Sequence, residues 1–112
     1  MTETTLHSNL AAGRWQTLSL VEQLGNIGSE VGRAIRAKAR GNSERLQAAL
    51  DRALELFDLT VNDERWAHRL KEVLRAREVV CDFLAGDNIY GATGESLDAY
   101  FLPFAMATRR TT

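Results

Sequence analysis

The chain has 112 residues, of which 45% are hydrophobic and 26% charged, and 14 basic residues stand against 15 acidic ones for a net charge of -1. That length describes one domain, able to bury roughly 65% of the surface its unfolded chain exposes. The balance argues against simple coating of a polyanion, which calls for a basic protein. A single cysteine, Cys81, excludes an intrachain disulfide, and no stretch approaches the ~18 apolar residues of a membrane span. Residues 1–13 lack the basic and apolar runs of a secretory signal. The expected location is cytoplasmic, with no membrane partner.

Residues 1–14 read as a flexible tail, with Trp15 and Leu18 placed to dock it, and residues 15–110 as one bundle domain. Ser19 and Glu22 form a capping box, each side chain answering a free backbone N–H of a first helical turn. Leu20, Leu24, Ile27, Val31 and Ile35 then recur at helical spacing. Arg36, Lys38 and Arg40 crowd the last turns, where the helix dipole favours cations. Gly41 supplies a left-handed stop. This predicts a first helix over 19–40.

Asn42 or Ser43 caps a second helix over 43–61, with Leu46, Leu50, Ala53, Leu54, Phe57 and Val61 as its stripe. Asp63 and Glu64 suit the first turn of a third helix over 63–85. Its arc is Trp66, Leu70, Val73, Leu74, Val80, Cys81 and Leu84, and Gly86 ends it. Short connections between long helices force antiparallel neighbours. After the loop 86–94, a shorter, aromatic-rich fourth helix covers 95–109. Pro103 lies inside it, so a kink or a helix in two pieces is expected there. The fold class is all-α, an up-down-up-down four-helix bundle.

Several residues stand against this pattern. Gly25, Gly28 and Gly32 form a strip on the first helix, and each costs about 1 kcal/mol relative to alanine. Close approach of another helix is the expected reason. Arg77 projects to the centre of the third helix's arc, where an unpaired charge is too costly. It is expected to be buried and bonded to a carboxylate, Glu30 first and Asp58 next. The surface arginines make two clusters, Arg65, Arg69 and Arg75 on the third helix and Arg33, Arg36, Lys38, Arg40 and Arg45 around the first junction. The bland reading of each is a solvated face with paired charges; the sharper one is contact with phosphates.

No catalytic or metal-ligating motif is recognisable. His7 and His68 share no spacing with the cysteine, and Glu64 and His68 do not make the Glu-x-x-His of di-iron bundles. Cofactors and metals are therefore expected to be absent. Candidate binding residues are Arg77, Glu30, Asp58, Arg75, Asp87 and Tyr90, around a polar pocket beside the loop 86–91.

The strings Asn26-Ile27-Gly28-Ser29-Glu30-Val31, Arg52-Ala53-Leu54-Glu55-Leu56-Phe57-Asp58-Leu59-Thr60, Arg69-Leu70-Lys71-Glu72, Arg75-Ala76-Arg77-Glu78 and Gly86-Asp87-Asn88-Ile89-Tyr90-Gly91 resemble a family of short uncharacterised bacterial proteins. That family is similar in fold to the bundles of rRNA intervening-sequence proteins, retroelement accessory proteins and the HEPN group. The wider resemblance implies nucleic-acid-linked roles and homo-oligomers. Arg65 and His68 have only Trp66 and Ala67 between them, a shorter spacing than the arginine–histidine motif of HEPN nucleases, so RNase activity is not implied. Together these features point to a non-catalytic binding or accessory module that self-associates or binds a protein. A nucleic-acid accessory protein working through its arginines is the alternative, and an enzyme or small-ligand binder at the Arg77 pocket the second.

Overall fold

A computed structural model describes residues 13–110. Among them are four α-helices, α1 (Leu20–Ala39), α2 (Ser43–Val61), α3 (Leu70–Ala85) and α4 (Gly94–Arg110), and no strand. Short 3-10 segments cover Trp15–Thr17 and Glu64–Arg69. The helices form an antiparallel up-down-up-down bundle. Most of the expected N-terminal tail, residues 1–12, lies outside the described residues.

The local signals act as their chemistry demands. Ser19 Oγ accepts the Glu22 N–H at 3.1 Å, while Glu22 Oε1 accepts the Ser19 N–H at 2.8 Å, closing the capping box of α1. At the other end Gly41 takes φ +72°. Gly41 N–H then donates to the Lys38 carbonyl and Asn42 N–H to the Ala37 carbonyl, the two bonds that satisfy a helix's last carbonyls. Asn42 in turn accepts the Arg45 N–H and starts α2. Thr93 and Ser96 exchange hydroxyl-to-backbone bonds at the start of α4.

Helix α1 is the centre of the packing, with α2 on one side and α4 on the other, and α3 lies chiefly against α2. The core runs through Leu24, Ile27 and Val31 of α1, Leu50, Ala53 and Phe57 of α2, Val73, Val80 and Leu84 of α3, and Leu97 and Phe101 of α4. Burying a side chain of this size stabilises by about 1.5–3 kcal/mol. The glycine strip has the expected structural use. Phe101 lies where a Cβ on Gly28 would be, and the α4 backbone at Phe104 and Ala105 approaches Gly25. Gly25 and Gly28 are thus covered by α4 of the same chain, while Gly32 meets only the Arg36 side chain.

Two expectations need correction. The third helix is not regular from residue 63. Glu64–Arg69 is wound as a 3-10 segment and Trp66 leaves helical geometry at φ −105°, ψ 19°. A 3-10 turn advances about 120° per residue against 100° for an α-helix, so Trp66 cannot be projected onto the phase of α3. Within α3 the inward face is Val73, Ala76, Val80 and Leu84, turned by roughly 50° from the expected arc, because Leu70 and Leu74, which helped to set that arc, are exposed. The fourth helix is not in two pieces. It runs unbroken from Gly94 to Arg110 through Pro103. Pro103 and Ala99, four residues before it, are both exposed, so the bond that proline deletes is on the solvated side, where water can replace it.

Candidate functional site

The most concentrated chemistry lies between the end of α1 and the start of α2. Arg33 and Arg36 stand at helical spacing on α1 with Arg40 at its C-cap, and Arg45 and Arg52 stand two turns apart on α2. These five side chains border one groove of about 500 Å³, floored by Ala37, Ala48 and Ala49 and closed near the turn by Asn42. The small floor residues give the groove its depth. Its volume falls in the range of ordinary ligand sites.

Electrostatics divide the five arginines. Glu30, mostly buried, holds two of them: Arg52 Nε donates to Glu30 Oε1 at 3.1 Å and Arg33 Nη1 lies 3.2 Å from Glu30 Oε2. One carboxylate therefore serves two guanidinium groups. Arg36, Arg40 and Arg45 have no carboxylate partner among the described residues, and all three are exposed. The Arg36 guanidinium lies back over Gly32, where a Cβ would come within 3.3 Å of it. The negative end of α1 and the positive end of α2 meet at this junction, so their dipoles largely cancel. The field of the groove is set by its guanidinium groups, whose forked donors match phosphate oxygens.

The third-helix arginines are different. Arg65 binds Asp63 through both Nε at 3.0 Å and Nη2 at 2.7 Å, donates to the Leu18 carbonyl, and stacks on the Trp66 ring. Arg69 pairs with Glu72, and Arg75 lies over the Tyr90 ring, 4.5 Å from its centre. On that face Arg65 and Arg69 are paired with acids, and Arg75 is stacked on an aromatic ring.

The residues singled out around Arg77 are dispersed. Arg77 is partly buried, with its side chain 33% exposed, and the carboxylate it meets is Asp58, the second of the two expected, and not Glu30. Its Nε donates to Asp58 Oδ1 at 3.0 Å. The turned phase of α3 brings Arg77 to the edge of the interface, facing α2, while Glu30 faces α2 from the other side. Arg75 and Tyr90 meet each other, and Asp87 is exposed beside them. The loop is fixed by Asp82, whose carboxylate accepts the N–H groups of Ile89 and Tyr90, and by Asn88, which bonds Ala92 in both directions. Burial pushes the Cys81 thiol up from its ordinary pKa, with Arg77 opposing, which disfavours a reactive thiolate. Among the described residues no group of three or more His, Cys, Asp or Glu side chains is placed to hold a metal ion.

Two other features escaped sequence reasoning. A buried polar network joins the N-terminal segment to the far ends of α1 and α2. Gln23, fully buried, donates to the Trp15 carbonyl and to Asp63 Oδ2 and accepts the Trp66 indole N–H. The Trp15 indole donates to Thr60 Oγ1 at 3.1 Å. Hydrogen bonds from Arg65 hold the Asp63 carboxyl down at about 2, against the opposing effect of burial. Only Gln23, a polar residue on the inner side of an otherwise apolar stripe, could have signalled this. Second, an apolar cleft of about 280 Å³ separates α3 from α4. Tyr100 closes one rim through a bond from its hydroxyl to Glu72 Oε2. Burial, then the Glu72 charge, pushes the Tyr100 hydroxyl up to about 12.

No protein-family model, curated protein or solved structure matches the chain. No helix among the described residues is long and apolar enough to cross a membrane.

Proposed function

We propose that the protein is a non-catalytic cytoplasmic binding or accessory module whose α1–α2 groove takes an anionic, phosphate-bearing ligand. One observation carries this reading: Arg36, Arg40 and Arg45 border a single concavity without a carboxylate partner among the described residues. Arg69 and Arg77, outside the groove, each pair with an acid, and Arg75 stacks on Tyr90. The resemblance to small bacterial bundles with nucleic-acid-linked relatives supports the same direction.

The test is retention on phosphocellulose. The wild type should elute at clearly higher salt than the triple variant Arg36→Gln, Arg40→Gln, Arg45→Gln. A second triple variant, Arg69→Gln, Arg75→Gln, Arg77→Gln, makes the same change in net charge and should elute near the wild type. Equal shifts for the two variants would reduce the effect to bulk charge and end the reading.

Self-association is a second reading with its own support. Leu70 and Leu74 on α3 and Leu102 and Met106 on α4 are each more than a third exposed, an apolar surface of the kind interfaces use. Light scattering of the wild type and of Leu102→Arg tests it; a wild-type monomer at high concentration would refute it.

A further inference from the structure

Resting on that reading of the groove, we infer that its ligand is a compact chain of phosphates, of the kind carried by inorganic tripolyphosphate or the tail of a nucleoside triphosphate, and not a polynucleotide. Length comes first. Arg33 to Arg40 spans seven positions of α1, and Arg45 to Arg52 seven of α2, so each row is about 10 Å long at 1.5 Å per residue. The rows run antiparallel. Glu30 ties Arg33 to Arg52 at one end, and Arg40 and Arg45 flank the Gly41 turn at the other. The charge is gathered into a short box.

A nucleic-acid strand presents one phosphate every ~3.4 Å along a duplex, so about three phosphates would fill such a box. Beyond it the strand would meet unfavourable ground. Outside the five groove arginines and Glu30, the chain has 9 basic residues against 14 acidic ones. A ligand that ends where the groove ends gains the attraction and avoids that repulsion.

Charge and chemistry agree with length. Five guanidinium groups with one carboxylate leave a site charge near +4, and three linked phosphates carry roughly four negative charges near neutral pH. Among the described residues no aromatic side chain borders the groove. Single-strand binders draw much of their affinity from stacking bases on aromatic rings, and this groove offers none. By the same argument a nucleoside adds little, so the phosphate chain is the recognised part and the base is not read.

The experiment is calorimetric titration of the full chain, in chelator so that no divalent cation masks the phosphates, with four probes: orthophosphate, tripolyphosphate, ATP, and a single-stranded RNA of about 20 nucleotides. Tripolyphosphate is expected to bind one per chain, at least about tenfold tighter than orthophosphate, because each added charge-assisted pair is worth about a factor of ten. ATP should fall within about threefold of tripolyphosphate if the base is unread. A much tighter ATP would refute indifference to the base and assign the site to nucleotides. The double variant Arg36→Gln, Arg40→Gln should lose tripolyphosphate binding while keeping its helical circular dichroism, and Arg69→Gln should retain it.

RNA that binds through the groove arginines and is not displaced by excess tripolyphosphate would overturn the compact-ligand inference and leave the phosphate-binding groove standing. An acidic peptide that outcompetes tripolyphosphate would overturn it as well. Failure of every probe, with no difference between the triple variants on phosphocellulose, would remove both readings.

Discussion

Gln23 and Asp63 are 40 positions apart in sequence, yet the Gln23 amide donates to the Asp63 carboxylate at 3.1 Å inside the bundle. The contact closes the end at which α1 begins and α2 finishes. Through its other bonds Gln23 also holds Trp15 and Trp66, so one side chain satisfies three partners that water cannot reach easily.

Replacing Gln23 with leucine keeps its bulk but strands the Trp66 N–H, while Asp63 Oδ2 keeps its bond from Arg65 and the Trp15 carbonyl keeps that from the Leu18 N–H. Each buried group left unpaired costs about 1–3 kcal/mol. Gln23→Leu should therefore destabilise by about 1–3 kcal/mol in urea unfolding, despite the added apolar surface. Trp66→Phe, which removes one donor at a half-buried site, should cost clearly less. Equal stability of Gln23→Leu and wild type would show that the network contributes nothing.

The Asp63 carboxyl is held down from 3.8 to about 2 by Arg65. Its folded pKa lies below its unfolded one, so its contribution is fully present above the unfolded value. It is lost as pH falls through the folded one. The contribution is about 2 kcal/mol, disappearing between about pH 4 and pH 2. Asp63→Asn should lower stability near neutral pH and flatten that limb of the pH profile. An unchanged slope in the variant would assign the acid transition to other carboxylates.

The glycines of α1 should respond with opposite signs. A Cβ at Gly28 would meet the Phe101 Cβ at 2.7 Å, so Gly28→Ala should cost about 1–3 kcal/mol by forcing α4 outward. At Gly32 the nearest atom is the far end of the Arg36 side chain, at 3.3 Å. Gly32→Ala should gain about 0.5–1 kcal/mol from helix propensity. Thermal unfolding of the two variants reads both signs at once.

The Arg77–Asp58 pair is open to water, with side-chain exposures of 33% and 58%. Asp58→Ala should therefore cost less than about 1 kcal/mol, far below the penalty of a stranded buried charge. A loss of several kcal/mol in chemical denaturation would mean that Arg77 is shielded after all.

The helices were legible because capping residues, apolar period and stop signals agree at each end. Ser19, Gly41 and Asn42 do locally what their chemistry suggests. The misreading of Arg77 has a definite origin. Leu70, Leu74 and Cys81 drew the expected arc toward Arg77, but Leu70 and Leu74 are exposed and the buried face is that of Val73, Val80 and Leu84. The arginine groove was half legible. The sequence places Arg33, Arg36, Arg40 and Arg45 near one junction, but which of them find acids depends on Glu30 and Arg52 meeting across two helices. The cleft between α3 and α4 had no signal, since both of its walls read as ordinary core.

The cleft also bears on how the molecule opens. Helix α4 is fastened to α1, and the space between it and α3 is bridged on one rim by Tyr100 and Glu72. The N-terminal half of the bundle carries the Gln23 network, which α4 does not enter. Amide hydrogen exchange should accordingly be hierarchical: α3, held chiefly by α2 and facing α4 across the cleft, releases its protons through a local opening of lower free energy, while α1 and α2 exchange only when the whole protein unfolds. The arginine groove belongs to the slow-exchanging unit, so it would keep its shape in molecules whose third helix has loosened.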